Sequence, residues 1–409
     1  MKHISVGDFK IGAEEKRAIN DVLENGRISE NTKVREFEKL FAEYIGTKYS
    51  ISVNSGTSAL IAGMKAMLHN ESIDVMHGTN VVTTPLTYIA TSGALVNTGF
   101  NPVYIDVDMD TFVITPEKIK EHLEGADGIE KYSFILPVHL MGYPCDMDVI
   151  NKIGNTYGLQ VFEDSSQAHG TVYKGKKTGS MSLLSCFSFY IAHNIQAGEM
   201  GAITTDNPDI VRLVRKIKAN GRMCDCPVCK RSLGKCPKLT NYKGDDDFDP
   251  RFTHEFIGYN FKTMEFQAAL GITQLKKEDW IKERRSYNVK YLNEGLEKYS
   301  YLLKLPKFDK DVSYIAYPLV IKNPDKLSRK KLRKKLEEKG IETRPLFGCI
   351  PTQQPAFEYM KEEYENMLPN AEYLGKNAFY IGCHQYLGQD DLDYIIEIFG
   401  SIISDNGVH

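Results

Sequence analysis

The chain has 409 residues, of which 42% are hydrophobic and 26% are charged, and its formal net charge is −3. This length is sufficient for two domains and a large core. The slightly acidic balance argues against a nucleic-acid partner, whose binding requires a strongly basic face. No apolar run is long enough for a transmembrane helix, and the start, MKHISVGDFKIG, has no signal-peptide core. The sequence therefore predicts a cytoplasmic protein with no membrane partner.

The first two-thirds of the chain alternates strand patterns with helical patterns. Short apolar runs such as NPVYIDVDM (101–109), YSFILPVHLMG (132–142) and GLQVFEDSS (158–166) are bounded by Gly, Pro or polar turns. Strands that alternate with helices predict an α/β fold with a mainly parallel, doubly wound sheet. Ligands of such sheets bind at the carboxyl ends of the strands. We expect residues 1–275 to form this large, ligand-binding domain.

From about residue 276 the pattern changes. A long charged amphipathic helix leads into the run YIAYPLVIK, the basic helix SRKKLRKKLEEKG (328–340) and the segment IETRPLF (341–347). We expect residues 276–409 to form a small α+β C-terminal domain. The Lys/Arg run from Arg329 to Lys335 is interpreted as a solvated helix face, because glutamates follow at once and no aromatic residues interleave.

Several separated segments carry residues suited to holding an anionic, aromatic ligand. In NSGTSAL (54–60), small residues open a helix whose free N–H groups can meet a phosphate, although a plain Ser/Thr helix cap gives the same pattern. VFEDSSQAHG (161–170) places a carboxylate at a strand end. The other segments are TPLTYIAT (84–91), SCFSFYIAHN (185–194) and GYNFKTMEFQAALGITQL (258–275).

Together these segments resemble the DegT/DnrJ/EryC1/StrS family of sugar aminotransferases and dehydratases, over nearly the whole chain. The resemblance implies the PLP-dependent transferase fold type I and a bound pyridoxal or pyridoxamine phosphate (PLP or PMP). It implies a phosphate contact for Gly56, Thr57 and Ser188, and ring contacts for Tyr88, Asp164 and Gln167. Asp164 would keep the pyridine nitrogen protonated, which makes the ring an electron sink.

The same resemblance implies a homodimer with shared active sites. In the family, the residue at the position of Asn260 reaches the cofactor phosphate of the neighbouring subunit. The family usually has Arg where this chain has Lys262, and the two side chains do not bind anions alike.

His193 stands where most of the family has the lysine that forms a Schiff base with the cofactor, which an imidazole cannot do. One branch, the nucleotide-sugar 3-dehydratases, carries His in a pattern similar to SFYIAHNIQAGE (188–199). TRPLFGCIPTQQPAF (343–357) also resembles the substrate-side segment of that branch. The resemblance implies PMP-dependent removal of the C3 hydroxyl from a nucleotide-linked 4-keto-6-deoxyhexose, in deoxysugar and lipopolysaccharide biosynthesis. His193 would be the base, since imidazole titrates near neutrality.

Three alternatives remain open for His193. The histidine is a structural residue, the chain is an aminotransferase homologue with altered or lost activity, or it is a cofactor-binding pseudoenzyme that acts as a partner subunit. Tyr190, three residues earlier, is either an assistant in catalysis or a packed aromatic.

A cysteine-rich insertion at about 222–252 contains Cys224, Cys226, Cys229 and Cys236 within CDCPVCKRSLGKC. Four cysteines so close together, with a Cys-x-x-Cys spacing, predict a metal site with zinc or an iron–sulfur cluster, and a cluster that binds no metal is the third alternative. A reducing subset of the dehydratase branch has an iron–sulfur cluster here and takes electrons from a reductase partner. One ligand of that subset corresponds to Ser166, so the type of site stays open.

Overall fold

The computed structural model describes residues 2–226 and 249–405. The helices are α1 Ala13–Glu24, α2 Thr32–Ile45, α3 Gly56–Leu68, α4 Ala90–Thr98, α5 Pro116–Glu124, α6 Met147–Tyr157, α7 Pro208–Ile217, α8 Glu265–Leu275, α9 Glu278–Leu296, α10 Arg329–Glu338, α11 Ile350–Gln353, α12 Pro369–Asn377 and α13 Gln389–Asp405. The strands are β1 Tyr49–Val53, β2 Asn80–Thr83, β3 Asn101–Tyr104, β4 Tyr132–Leu136, β5 Gln160–Asp164, β6 Val172–Tyr173, β7 Lys176–Lys177, β8 Leu184–Ser188, β9 Gly201–Thr205, β10 Leu303–Lys304, β11 Tyr317–Ile321, β12 Thr343–Pro345 and β13 Ala378–Ile381.

A seven-stranded sheet has the order β1-β9-β8-β5-β4-β2-β3. Only β9 runs antiparallel to its neighbours, β1 and β8, while the other pairs are parallel. The predicted α/β fold with a mainly parallel sheet is confirmed. Because six strands point the same way, their carboxyl ends meet at one edge of the sheet.

Apolar residues cover both faces of this sheet. Consecutive residues of β2 belong to different buried clusters, Val81 to one and Val82 to the other, and the same holds for Phe134 and Ile135 of β4. Successive side chains of a strand point to opposite faces. Helices therefore pack on both sides, as a doubly wound sheet requires.

The C-terminal part of the chain forms a second, four-stranded sheet in the order β10-β11-β13-β12, in which all neighbours are antiparallel. The long helix α9 leads into it, and α10 and α13 contact each other beside it. A small α+β unit at this end agrees with the sequence. A β-bridge joins Ile4 to Ile341, so the N-terminal segment also pairs with this unit. The boundary at 275/276 stays a prediction.

Candidate active site

A cavity of about 870 Å³ lies at the carboxyl ends of the parallel strands. One wall, the large-sheet wall, comes from the loops that follow β1, β2, β4, β5 and β8. The other, the small-sheet wall, comes from residues 315–316 and from α10, β12, the segment that follows β12, and β13. A site between two sheets at strand ends is the expected place for a cofactor in an open α/β fold.

The large-sheet wall begins with a cradle at the start of α3. Ser55 caps this helix, and its Oγ accepts a hydrogen bond from the Ser58 N–H at 3.1 Å. The N–H groups of Gly56 and Thr57 belong to the first turn, where a helix leaves N–H donors for an anion. A Cβ on Gly56 would lie 2.5 Å from Ser188 Cβ, so only glycine fits here. The cradle of helix N-terminus and Ser188 hydroxyl fits a cofactor phosphate.

Asp164 ends β5 and is 3% exposed. Its Oδ2 accepts a hydrogen bond from Thr91 Oγ1 at 2.9 Å, and its Oδ1 accepts one from the Ser166 N–H at 3.2 Å. The Cys186 thiol is 3.4 Å from Oδ1, and burial beside this carboxylate holds the pKa of the thiol well above its usual value. The thiol stays protonated and donates. The carboxylate is therefore fixed in orientation where it can meet a protonated ring nitrogen.

Tyr88 and Gln167 complete the part of the wall that suits an aromatic ring. Tyr88 lines the cavity and is 60% exposed, with its ring edge-on to Phe347 of the opposite wall at 6.0 Å. Gln167 also lines the cavity, and its Oε1 accepts a hydrogen bond from the Met141 N–H at 3.1 Å. This contact orients the amide so that its NH₂ group is available to an oxygen in the cavity.

His193 lies on the loop that joins β8 to β9. The loop is closed at its base, because Phe189 and Met200 are joined by a backbone hydrogen bond of 2.8 Å. The next residue, Asn194, is buried and donates its Nδ2 to Ser313 Oγ at 2.7 Å. These contacts hold the loop against the cavity, which the His193 side chain lines.

The imidazole of His193 is kept neutral by its surroundings. Its Nδ1 is buried and has no hydrogen-bond partner among the described residues. Burial lowers the pKa of His193 to about 4; a hydrogen bond to the Ser188 backbone opposes this, and the positive charge of Arg285 adds to it. A neutral imidazole is the form that accepts a proton.

Arg344, on β12, brings a positive charge to the small-sheet wall. Its guanidinium contacts Glu342 Oε1 through Nε at 3.1 Å and through Nη2 at 3.0 Å. Glu342 in turn accepts a hydrogen bond from the Val6 N–H at 2.8 Å through its Oε2. The N-terminal segment thus fixes the carboxylate that orients Arg344 in the cavity.

Arg329, at the start of α10, is a second cation of this wall. Its Nη1 donates to the carbonyls of Gly375 and Ala378 at 2.8 and 2.9 Å. The expectation of a solvated basic face holds for Lys334, which is exposed beside Glu338, but it is wrong for Arg329. The reason is that Arg329 lies at the helix end that points toward the cavity, whereas Lys330, Lys331 and Lys334 are exposed on the outer surface.

Comparisons with known proteins agree with this geometry. The model of the DegT/DnrJ/EryC1/StrS aminotransferase family matches residues 10–400. The chain belongs to this family. It is 29% identical to the GDP-4-keto-6-deoxy-D-mannose 3-dehydratase of Escherichia coli O55:H7, over 94% of this chain and 96% of that protein. It is also 29% identical to the dTDP-4-dehydro-2,6-dideoxy-D-glucose 3-dehydratase of Saccharopolyspora spinosa, over 92% of this chain and 82% of that protein.

Solved structures show the same relationship. The E. coli GDP-4-keto-6-deoxy-D-mannose 3-dehydratase with bound hydrated PLP superposes with a TM-score of 0.85 at 28% identity, covering 97% of this chain and 99% of that one. The predicted family membership and the PLP fold type I architecture are thereby confirmed.

Asn260 is the one predicted cofactor residue that the structure does not bring to the cavity. It is exposed, and its Oδ1 accepts a hydrogen bond from Lys262 Nζ at 2.7 Å. To contact the cofactor phosphate of a neighbouring subunit, Asn260 must be exposed and must lie away from the cavity of its own chain. That role stays a prediction.

The four cysteines of the insertion are only partly described. Cys224 and Cys226 line a second cleft of about 210 Å³, whose other residues include Arg222 and Lys262, while Cys229 and Cys236 lie outside the described residues. Within residues 2–226 and 249–405, no group of three or more His, Cys, Asp or Glu side chains could hold a metal ion. Ser166 lines the large cavity, and its Oγ is 4.0 Å from Cys186 Sγ.

Two residues of the site were missed by sequence reasoning. Val6 reaches the cavity through pairing between the chain start and residue 341, which no local pattern indicates. Arg329 follows the helix cap Ser328 directly, and this position at a helix start was the available signal.

In the described part of the chain, no helix is both long and apolar enough to cross a membrane.

Proposed function

We propose that this chain is a PMP-dependent nucleotide-sugar 3-dehydratase, which removes the C3 hydroxyl from a nucleotide-linked 4-keto-6-deoxyhexose in deoxysugar biosynthesis. The observation that carries the proposal is that His193 lines one cavity together with the candidate cofactor residues Gly56, Thr57, Tyr88, Asp164, Gln167 and Ser188. None of the described residues that line this cavity is a lysine. The chain therefore offers the cofactor a base and no amine that would capture it.

The residues of the large-sheet wall divide the work. The α3 N-terminus and Ser188 would hold the phosphate, Asp164 would hold a proton on the ring nitrogen, and Tyr88 would pack on the ring. When bound, PMP supplies a primary amine for the 4-keto group and a conjugated ring that accepts electrons. His193 accepts the proton from the C4′ carbon, next to the amine, and returns it to the departing C3 hydroxyl, which leaves as water.

The small-sheet wall suits the nucleotide part of the substrate. Arg329 and Arg344 face the cavity from this side, and guanidinium groups bind phosphate oxygens through paired N–H donors. The volume of about 870 Å³ is in the range of sites that hold a cofactor and a substrate together. We therefore place the diphosphate of a nucleotide sugar between these two arginines.

Product analysis tests the proposal. Protein loaded with PMP is incubated with a panel of nucleotide-linked 4-keto-6-deoxyhexoses, and the products are measured by mass spectrometry. The expected product has lost its C3 oxygen, with one PMP converted to PLP and one ammonia released per turnover when no amino donor is present. A product that gains an amino group would show an aminotransferase. Binding of sugar and cofactor without any product would show a pseudoenzyme.

We also propose a homodimer in which Asn260 reaches the cofactor of the partner subunit. Ile28 and Met264 have exposed apolar side chains near Asn260 in the chain or its pairing partner, since Ser29 and Met264 form a β-bridge. Exposed apolar side chains of this kind suit a subunit interface. Subunit mixing tests the shared site: Asn260→Ala and His193→Asn proteins are each inactive alone, but mixed dimers regain one intact site. If mixing restores no activity, Asn260 does not act across the interface.

For the cysteine segment we propose a metal site, with electrons delivered by a reductase if the metal is an iron–sulfur cluster. Its support is the sequence spacing of Cys224, Cys226, Cys229 and Cys236. Iron, sulfide and zinc are measured after anaerobic purification. Zinc alone would exclude electron transfer, and the absence of all three would remove the metal proposal.

A further inference from the structure

Arg285 of α9 is a fully buried cation, with 0% of its side chain exposed. Its Nε donates to Gln385 Oε1 at 3.1 Å, and its Nη1 donates to the carbonyls of Tyr314 and Ile315 at 3.2 and 2.7 Å. No carboxylate pairs with it among the residues that the structure describes. The adjacent Cys383 thiol does not neutralise it, because burial raises the pKa of that thiol to about 11. Such a charge is costly to bury, so its retention calls for an explanation.

The contacts of Arg285 lead to the catalytic loop through one short segment. Arg285 holds the carbonyls of residues 314 and 315, and Ile315 and Ala316 line the cavity. The residue before them, Ser313, accepts hydrogen bonds from Asn194 Nδ2 through its carbonyl at 3.2 Å and its Oγ at 2.7 Å. Segment 313–316 therefore joins the guanidinium on one side to the residue that follows His193 on the other.

The charge of Arg285 also lowers the pKa of His193, although less than burial of the imidazole does. The other titratable side chains near His193 are His169 and Tyr190, whose ring centroids are 6.1 and 6.2 Å from its own. His169 is neutral, because burial holds its pKa well below the usual value. Among the described residues, the remaining titratable or charged groups that line the cavity are Tyr88, Asp164, Glu199, Tyr380, Arg329 and Arg344.

We propose that Arg285 is a positioning residue for His193: its guanidinium fixes segment 313–316, the part of the cavity wall that anchors the His193 loop, and its positive charge adds to the burial that disfavours a protonated imidazole. This inference rests on the proposed function of His193 as the base. The same charge destabilises the imidazolium that forms when His193 takes a proton. The proton then passes more readily to the departing hydroxyl, although the same charge makes His193 a weaker base for the proton on C4′.

Three variants separate the two effects of Arg285. Arg285→Gln removes the charge and keeps an amide donor, whereas Arg285→Lys keeps the charge and loses the planar fork. Arg284→Gln is the matched control, because this neighbour is only partly buried and donates to the Leu387 carbonyl. Each protein is loaded with PMP, the His193 ring is titrated by NMR with histidine labelling, and the rate is measured against pH. His193→Asn identifies the resonance.

In Arg285→Gln we expect the pKa of His193 to rise by roughly 1, since a full charge is lost from a buried site. The acid limb of kcat moves to higher pH by the same amount, and kcat falls by about 10- to 100-fold with little change in KM. In Arg285→Lys the titration stays near that of the wild type while kcat falls, because only the wall contacts are lost. Arg284→Gln changes neither quantity.

An unchanged His193 titration in Arg285→Gln overturns the electrostatic part of the proposal, and an unchanged kcat in Arg285→Lys overturns the positioning part. If Arg285→Gln does not fold, the rate of Arg285→Lys still tests the positioning part. The NMR titration needs no turnover. The pKa of His193 can therefore rise in Arg285→Gln even if the wild-type protein makes no dehydrated product. That result would contradict the proposed function but would confirm the effect of Arg285 on His193.

Discussion

The two walls of the cavity present positive charge to a ligand by different means. Among the described residues, the large-sheet wall brings no Lys or Arg side chain to the cavity, and its phosphate cradle consists of a helix N-terminus and a hydroxyl. The small-sheet wall brings two guanidinium groups, Arg329 at the start of α10 and Arg344 on β12. Backbone donors at a helix start suit one anion at one position, whereas a guanidinium held by its own partners still presents further N–H donors. The difference matches the proposed cofactor phosphate on one side and the proposed substrate diphosphate on the other.

The largest expected effect is on the large-sheet wall. Replacing His193 with Asn removes the base while the cradle remains, so kcat should fall by roughly 10²- to 10⁴-fold. The bound cofactor, followed by its absorbance, should stay at the wild-type level. Tyr190→Phe is the control, because it removes only a hydroxyl from the neighbouring ring and should keep most of the rate. Loss of cofactor in His193→Asn would mean that the histidine holds the cofactor instead.

On the small-sheet wall, Arg344→Gln should affect substrate binding more than chemistry. Loss of a charge-assisted contact with phosphate predicts a KM about 10- to 100-fold higher, with kcat nearly unchanged and cofactor binding intact. Steady-state kinetics with the active nucleotide sugar measure this. Lys334→Gln removes a positive charge from the exposed face of α10 and should change nothing. Equal changes of KM in the two variants would indicate that the overall positive potential of the protein attracts the substrate, and that Arg344 does not form a specific phosphate site.

The cradle itself can be tested by glycine substitutions. Gly56→Ala places a methyl group 2.5 Å from Ser188 Cβ, and we expect a loss of about 1–3 kcal/mol in the free energy of unfolding together with weaker cofactor binding. Gly93→Ala is the matched control, because nothing lies within 4 Å of its added Cβ inside α4. That variant should be more stable by about 0.5–1 kcal/mol. Urea unfolding of both proteins, with and without PMP, distinguishes these outcomes.

The smallest expected effect concerns pH. Burial lowers the pKa of two histidines to about 4, His193 of the cavity and His384, which lies outside the cavity lining. Above the unfolded value of about 6.5 neither state binds the proton, so stability is constant. Between about pH 6.5 and 4 only the unfolded chain binds it, and stability falls. His384→Asn should reduce this fall by about 1–2 kcal/mol in urea unfolding at the two pH values, whereas the exposed His3→Asn should not.

The sequence was informative where chemistry is local. The segments around Gly56, Asp164, Ser188 and His193 carry the family resemblance that predicted the fold, and the structure brings these candidate cofactor residues together in one cavity. The small-sheet wall depends on contacts far apart in the chain. Glu342 is held by Val6, and Arg285 by carbonyls of residues 314 and 315, which no periodicity in the sequence reveals.

The place of β1 in the sheet also has a consequence for the order of folding. β1 pairs only with β9, with Tyr49 opposite Thr205, although some 150 residues separate them along the chain. During synthesis, all residues up to Thr205 must leave the ribosome before β1 can join the sheet. The start of α3, which follows β1, can take its place only then. The Ile4–Ile341 bridge forms later still. A ribosome has therefore made more than four-fifths of the chain before both walls can close, and until then the pairing edges of these strands stay open.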